Sequence, residues 1–355
     1  MKSKNTMSSI LILFLTMFFL IGTTITAESK TLVLRWADMS PASGLRPEYL
    51  KKAASEIEKA TEGRVKIEFY WSNSLVKVQD NVKAVQSGVA DMAWTMPIYH
   101  PAEYPLGLVS QTVLSAPNSG DAGFIVKAFW EMWDESKPLR DEVNKWGSTV
   151  WYMFPYGGYG CYAKKPITKL EDFKGLRLRV SSEGIGKMVS AVGASPEFLA
   201  ASEVYTALEK NMFDGAVCGY EWGRRYSFYE VSDYLNLIDS CMIGCAYGIV
   251  SNNALRRMSE QDRKVFMDIG RRVSIEYGKE VNKEKENDIQ IMKDKGMKLI
   301  PFPEAEKKRW EQLKEIRALI PDWIQQQEKE GRGEEAREVM KLFLDKFELS
   351  YLMLK

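Results

Sequence analysis

The sequence predicts an α/β protein of two domains that exchange chain through strands and helices, and three observations predict it. Strand-like apolar runs alternate with helix-spaced ones from residue 31 onward, and the rhythm starts afresh near residue 176. One helical pattern, from Ser259 to about residue 295, is about three times the length of an ordinary globular helix. No Pro-, Gly- or Ser-rich tether and no internal repeat separates the halves, so passage between domains must use regular elements.

The chain opens on a leader. Lys2 and Lys4 form a basic head, apolar residues fill 10–15 and 17–21, and small residues lead to Ala27 before the charged Glu28. This order predicts a cleaved signal peptide over 1–27. An apolar core of about 12 residues is too short for a span, which needs roughly 20. No cysteine stands at the cleavage point to carry a lipid. The mature chain is therefore expected free in the periplasm.

Residues 31–37 read as a buried strand, and Tyr49, Leu50, Ala53, Ala54, Ile57 and Ala60 fall at helical spacing before Gly63. Val65, Ile67 and Phe69 alternate as a second strand. Val78, Val82 and Val85 mark a helix, and 89–94 a third strand. Such alternation predicts a parallel sheet covered by helices on both faces. Ligands of these sheets bind beyond the carboxyl ends of the strands, where Trp36, Asp38, Trp94 and Met96 lie. Farther on, 176–180 and 212–217 read as strands. Between them come helices over Ile185, Met188, Val189 and Val192 and over Val204, Ala207 and Leu208. Ser259, with Asp262 three residues on, caps the long helix. Its mixed charges from Lys279 to Lys295 read as a solvated face. Pro321 is expected to kink or break the helical pattern over 310–327. The expected division is 28–156 with 245–284 in domain I, and 157–244 with 285–355, including the C-terminal helices, in domain II.

Composition excludes several functions. At 355 residues with 45% hydrophobic content, the chain can bury two cores. Removing the leader takes two lysines and no acid, leaving 47 basic against 48 acidic residues. That balance gives no electrostatic grip on nucleic acid or an anionic membrane. His100 is the only histidine, which thins out metal sites and imidazole catalysis. Cys161, Cys218, Cys241 and Cys245 fit no zinc spacing; they are expected as buried free thiols or one disulfide. The run Gly157-Gly158-Tyr159-Gly160 lacks the Lys-Ser/Thr of a phosphate loop and suits a backbone crossing between domains. No cofactor, no metal and no catalytic constellation is expected.

The run Leu170-Glu171-Asp172-Phe173-Lys174-Gly175-Leu176-Arg177-Leu178-Arg179-Val180 resembles the solute-binding proteins of tripartite ATP-independent periplasmic (TRAP) transporters. The likeness continues through Val192-Gly193-Ala194-Ser195-Pro196, Ser202-Glu203-Val204-Tyr205 and Asp214-Gly215. Upstream it includes Thr61-Glu62-Gly63-Arg64-Val65 and Gly88-Val89-Ala90-Asp91, and it spans about residues 31–347. The resemblance implies a two-domain periplasmic binding protein fold, with an interdomain cleft and a long domain-spanning helix. It also implies a monomer that hands a small organic acid to integral-membrane permease subunits. Arg179 matches the arginine that holds the substrate carboxylate in the family. A guanidinium suits that role because its rigid fork of donors pairs bidentately with a carboxylate and keeps its charge in a dry cleft.

Four positions depart from the sialic-acid-binding members: Tyr159 replaces an arginine, Cys218 an asparagine, Ala201 a phenylalanine and Met96 a glutamate. With Trp94 they imply a less polar cargo with one anionic end. Glu221-Trp222 comes several residues too late for the family branch that binds a metal-bridged 2-oxo acid. The alternatives are a binding protein of an ATP-driven importer, a sensor, or a secreted enzyme. The expected substrate contacts are Arg179, Tyr159, Trp94, Met96, Cys218, Ala201 and Asp38.

Overall fold

The computed structural model describes residues 31–349 and Leu352, apart from Gly157, Cys241 and Met242. The leader expected at 1–27 lies outside the described residues. The first lobe begins with β1 (Leu32–Ala37), α1 (Leu45–Ala60), β2 (Val65–Tyr70), α2 (Asn81–Ser87) and β3 (Met92–Thr95). It continues with α3 (Ala122–Glu135), α4 (Lys137–Asn144) and β4 (Ser148–Pro155). The chain then builds β5 (Tyr159–Ala163), β6 (Arg177–Val180), α5 (Glu183–Ser190) and β7 (Ser195–Phe198) in a second lobe. There follow α6 (Val204–Glu209), β8 (Gly215–Gly219), α7 (Tyr220–Arg225) and β9 (Tyr234–Ser240). Next are β10 (Cys245–Ser251), α8 (Asn252–Arg256), α9 (Glu260–Asp294) and β11 (Lys298–Pro301). Four helices end the chain: α10 (Glu304–Glu311), α11 (Lys314–Arg317), α12 (Leu319–Lys329) and α13 (Gly333–Lys346).

Two sheets result, ordered β2-β1-β3-β10-β4 and β11-β9-β5-β8-β6-β7. β1, β2 and β3 run parallel, as do β6, β7 and β8. The wholly parallel sheets expected from the sequence are not found. β10 runs antiparallel to β3 and β4, and β5 antiparallel to β8 and β9. The reason is topological. Each of these strands enters directly from the other lobe rather than through a strand-helix-strand crossover, and only that crossover imposes parallel pairing. In chain order β4 of the first sheet leads into β5 of the second, and β9 of the second into β10 of the first.

Local patterns explain the elements. α1 buries Leu50, Ala53 and Ile57, an i, i+3, i+7 face turned to the core. α9 is capped by the Ser259 hydroxyl, which accepts the Asp262 N–H at 3.0 Å. Its 35 residues extend about 50 Å. It packs on α1, α3 and β4 of the first lobe and α7 of the second. Under it, Trp36 and Trp151 meet edge to face at 5.9 Å, and the Trp151 indole donates to the Phe266 carbonyl at 2.9 Å. The helical pattern over 310–327 is divided by turns at 312–313 and 318, and Pro321 falls in the first turn of α12. There its missing N–H costs nothing. The sequence grouped all of 285–355 with the second lobe; α13 instead sets Phe343 and Phe347 against Phe129 of α3 in the first.

Candidate functional site

Both lobes turn the carboxyl ends of their parallel strands toward a shared cleft, and Arg179 stands at such an end, on β6. It is 1% exposed. Its Nε donates to the Leu199 carbonyl at 2.8 Å and its Nη1 to the Val217 carbonyl at 3.2 Å. Nη2 also donates to Leu199. The remaining donor capacity faces the Tyr99 hydroxyl and the Cys218 thiol. Burial pushes the pKa values of both upward, against the pull of Arg179, so both neighbours are neutral. Among the described residues no carboxylate lies within 4.0 Å of this guanidinium.

Six of the seven residues singled out from the sequence line one small cavity between the lobes: Arg179, Tyr159, Trp94, Met96, Cys218 and Ala201. Ile98, Tyr99, Tyr156, Ser181 and Trp222 complete the wall around about 10 Å³. Trp94 Nε1 and the Tyr156 hydroxyl find no hydrogen-bond partner among the described residues. Burial raises the phenol pKa of Tyr159, so it too is an un-ionised donor.

Asp38 is the exception. Its carboxylate accepts from the Ser40 N–H at 2.8 Å, the Ser40 hydroxyl at 2.7 Å and Trp36 Nε1 at 3.1 Å. It also accepts from Arg46 Nη2 at 3.0 Å. Saturated in this way, Asp38 is the counter-ion of Arg46 and forms no part of the cavity wall. Arg46 was missed from the sequence. It is 1% exposed, and its guanidinium lies 5.1 Å from the ring centroids of both Trp94 and Trp222. Tyr99 and Tyr156 were also missed, because a tyrosine in a single 3-10 turn or just past a strand end carries no periodic signal. Tyr99 follows Met96 by three residues, and this spacing was the one clue.

A larger space of about 520 Å³ lies beyond Ile98, Tyr99 and Ser181, which wall both cavities. The first lobe gives it Leu108 and Gln111, the second Ser182, Gly184 and Phe198, and α12 gives Leu319 and Trp323. The lobes touch directly here. The Ser182 hydroxyl, which caps α5 by accepting the Ile185 N–H at 3.2 Å, donates across the cleft to Gln111 Oε1. At Gly184 an added Cβ would come within 2.6 Å of the Gln111 Cβ and 2.7 Å of its carbonyl oxygen.

Cys161, Cys245, His100 and Glu221 do not line the Arg179 cavity. Cys161, Cys218 and Cys245 are buried free thiols, and Cys241 lies outside the described residues. Burial lowers the His100 pKa to about 4. Glu221 pairs with Arg225 at 3.7 Å, while its neighbour Trp222 lines the cavity. Among the described residues no group of three or more metal-ligating side chains is assembled. No described helix is long and apolar enough to cross a membrane.

The family model for bacterial extracellular solute-binding proteins, family 7, matches residues 37–322. A solute-binding protein of Roseobacter denitrificans is 26% identical over 224 residues, which cover 61% of this chain and 65% of that relative. The C4-dicarboxylate-binding periplasmic protein DctP of Rhodobacter capsulatus is 26% identical over 265 residues, 72% of this chain and 76% of its own. In fold, the chain is similar to a marine metagenome TRAP solute-binding protein described as specific for aromatic acid ligands. The TM-score is 0.79 at 19% identity, covering 89% of this chain and 98% of that one.

Proposed function

Since the chain belongs to family 7 of the bacterial extracellular solute-binding proteins, we propose that it binds a small organic carboxylate in the cleft and delivers it to the membrane subunits of a TRAP transporter. It acts as a monomeric receptor in the periplasm, free of its leader, with no catalytic step and no nucleic-acid partner. One observation carries this reading: Arg179 is a buried cation held by neutral carbonyls, without a resident counter-ion among the described residues. A charge in a low-dielectric cleft is costly unless paired, and a carboxylate seated on its terminal nitrogens supplies the pair. Charge balance supports one anionic group. Arg46, Arg179 and Arg225 stand in or against the cavity walls, and Asp38 and Glu221 answer the first and third. One positive charge is left over. The rest of the wall is aromatic or weakly polar, which favours a cargo less polar than a sugar acid. The relatives described as binding C4-dicarboxylates and aromatic acids lend support to the acid class.

The test is calorimetric titration with organic acids and their amides, on the natural chain and on Arg179→Met. Acids bind and amides do not. Arg179→Met weakens acid binding by about 2–5 kcal/mol, or roughly 30- to 5,000-fold. Equal affinity for acid and amide, or an unchanged affinity in the variant, refutes the assignment. Uptake by vesicles carrying the membrane subunits, with the protein outside and ATP absent, tests the transport half.

A further inference from the structure

The chamber around Arg179 is too small for the cargo just assigned. About 10 Å³ is close to the minimum that admits one water molecule. Ligand-sized volume begins only beyond Tyr99 and Ser181, where about 520 Å³ is open, within the roughly 300–1,000 Å³ of small-molecule pockets. Two features of that outer space are left unsatisfied by the packing around it. Phe198, at the end of β7, is 59% exposed, more than any other large apolar side chain described. It faces no core, and its ring is part of the wall. Trp323, from α12, is 8% exposed, yet its indole N–H has no acceptor among the described residues. Leaving a buried donor unpaired costs about 1–3 kcal/mol, a cost removed when a ligand oxygen accepts it.

Tyr99 divides the two spaces. Its ring leans on Trp94 at 6.0 Å between centroids, and it belongs to both walls. We propose that the outer space is the second half of the cargo site and takes the aromatic tail of the same acid. Phe198 and Leu319 then cover the ring, and Trp323 donates to a distal oxygen or hydroxyl. The carboxylate stays on Arg179, with Tyr99 beside the joint between head and tail. This inference rests on the carboxylate reading of Arg179 and extends it to an elongated arylalkyl acid. It distinguishes such a cargo from a short aliphatic acid, which leaves the Phe198 ring uncovered and the Trp323 N–H unpaired.

The experiment measures affinities of the full chain for propionate, phenylacetate, 3-phenylpropionate and its 4-hydroxy derivative by competition calorimetry. It is repeated on Phe198→Ser, Trp323→Phe and Trp323→Ala. Affinity rises about tenfold or more from propionate to 3-phenylpropionate, because a ring buries far more apolar surface than a methyl group. Phe198→Ser removes most of that gain and leaves propionate within about twofold. Phe198 is exposed, so this variant keeps the fold even if Trp323→Ala does not. Trp323→Phe erases only the added preference for the hydroxylated ring. The inference is overturned if propionate and the arylalkyl acids bind alike, or if the Phe198 variant weakens all acids equally. A natural chain that binds acids no better than their amides overturns the Arg179 reading as well, so the two failures are told apart.

Discussion

Gly184 occupies the first turn of α5, two residues after the serine that reaches across the cleft to Gln111. Its φ lies outside the left-handed region, so the helix itself accepts a side chain there. The obstacle is the other lobe. A Cβ would meet the Gln111 carbonyl oxygen at 2.7 Å and its Cβ at 2.6 Å, and a backbone oxygen cannot rotate out of the way. Gly184→Val therefore overpacks the closed arrangement while leaving each lobe alone intact. Overpacking costs about 1–3 kcal/mol. The cost falls on the state that retains the ligand, so apparent affinity for a short acid that reaches only Arg179 drops by about 5- to 150-fold. Calorimetry reads the affinity, small-angle scattering the closure, and circular dichroism the unchanged fold. Gly186→Ala, read with the same short acid, is the control on that helix, since its Cβ meets nothing of the other lobe, only the Phe198 ring at 3.4 Å and Pro196 at 3.5 Å. If Gly184→Val binds within about twofold of the natural chain and still closes on ligand, the reasoning fails: the Gly184–Gln111 approach then plays no part in the bound state.

Gly270→Ala tests the core under α9. Alanine is normally about 1 kcal/mol better than glycine in a helix, but this Cβ would lie 2.2 Å from Trp151 Nε1. A net loss of about 1–3 kcal/mol is expected in denaturant unfolding, and a gain contradicts the packing. His100 is held neutral by burial, its pKa lowered from 6.5 to about 4. The unfolded chain takes up a proton that the folded one refuses, so stability is lost as pH falls from about 6.5 to about 4, by up to about 3 kcal/mol. Glu142 and Asp288, raised by burial to about 8 and about 7, act in the opposite sense. The measurement is therefore the difference between the natural chain and His100→Phe, from about pH 7 to about pH 4.5; parallel losses refute the assignment. Burial pushes the Cys161 thiol up to about 12 and raises those of Cys218 and Cys245. Peptide mapping after maleimide treatment should find these three modified only in the unfolded chain.

The parts of the fold that the sequence disclosed are those written in local periodicity. The alternation of Val65, Ile67 and Phe69 gave β2, and Ser259 with Asp262 marked the start of α9 correctly. Pairing direction was not legible, because nothing in the residues of β5 or β10 reports which lobe the preceding strand belongs to. The destination of α13 was equally hidden: an amphipathic helix states that one face is buried, not against what. At the site, motif positions led to six residues of one cavity wall. The error over Asp38 has a simple physical source. A carboxylate past a strand end serves a ligand or a neighbouring cation equally well, and only the fold shows that Arg46, eight residues on, arrives first.

The two buried arginines differ in what neutralises them. Arg46 and Arg179 are equally buried, at 1% exposure each. Asp38 cancels the charge of Arg46 and leaves it to act on Trp94 and Trp222 through their ring faces. Around Arg179 the acceptors are the carbonyls of Leu199 and Val217, which fix the orientation of the fork without neutralising it. A dipole repays part of the desolvation cost and leaves the monopole in place. On the proposed assignment, the cleft keeps a pre-aimed positive field for an incoming anion to cancel, and the free energy of that cancellation favours the lobes shut over the lobes apart. Closure on that assignment depends on cargo chemistry at both ends, the carboxylate on Arg179 and the tail in the outer space, whereas the Ser182–Gln111 hydrogen bond joins the lobes through protein atoms alone.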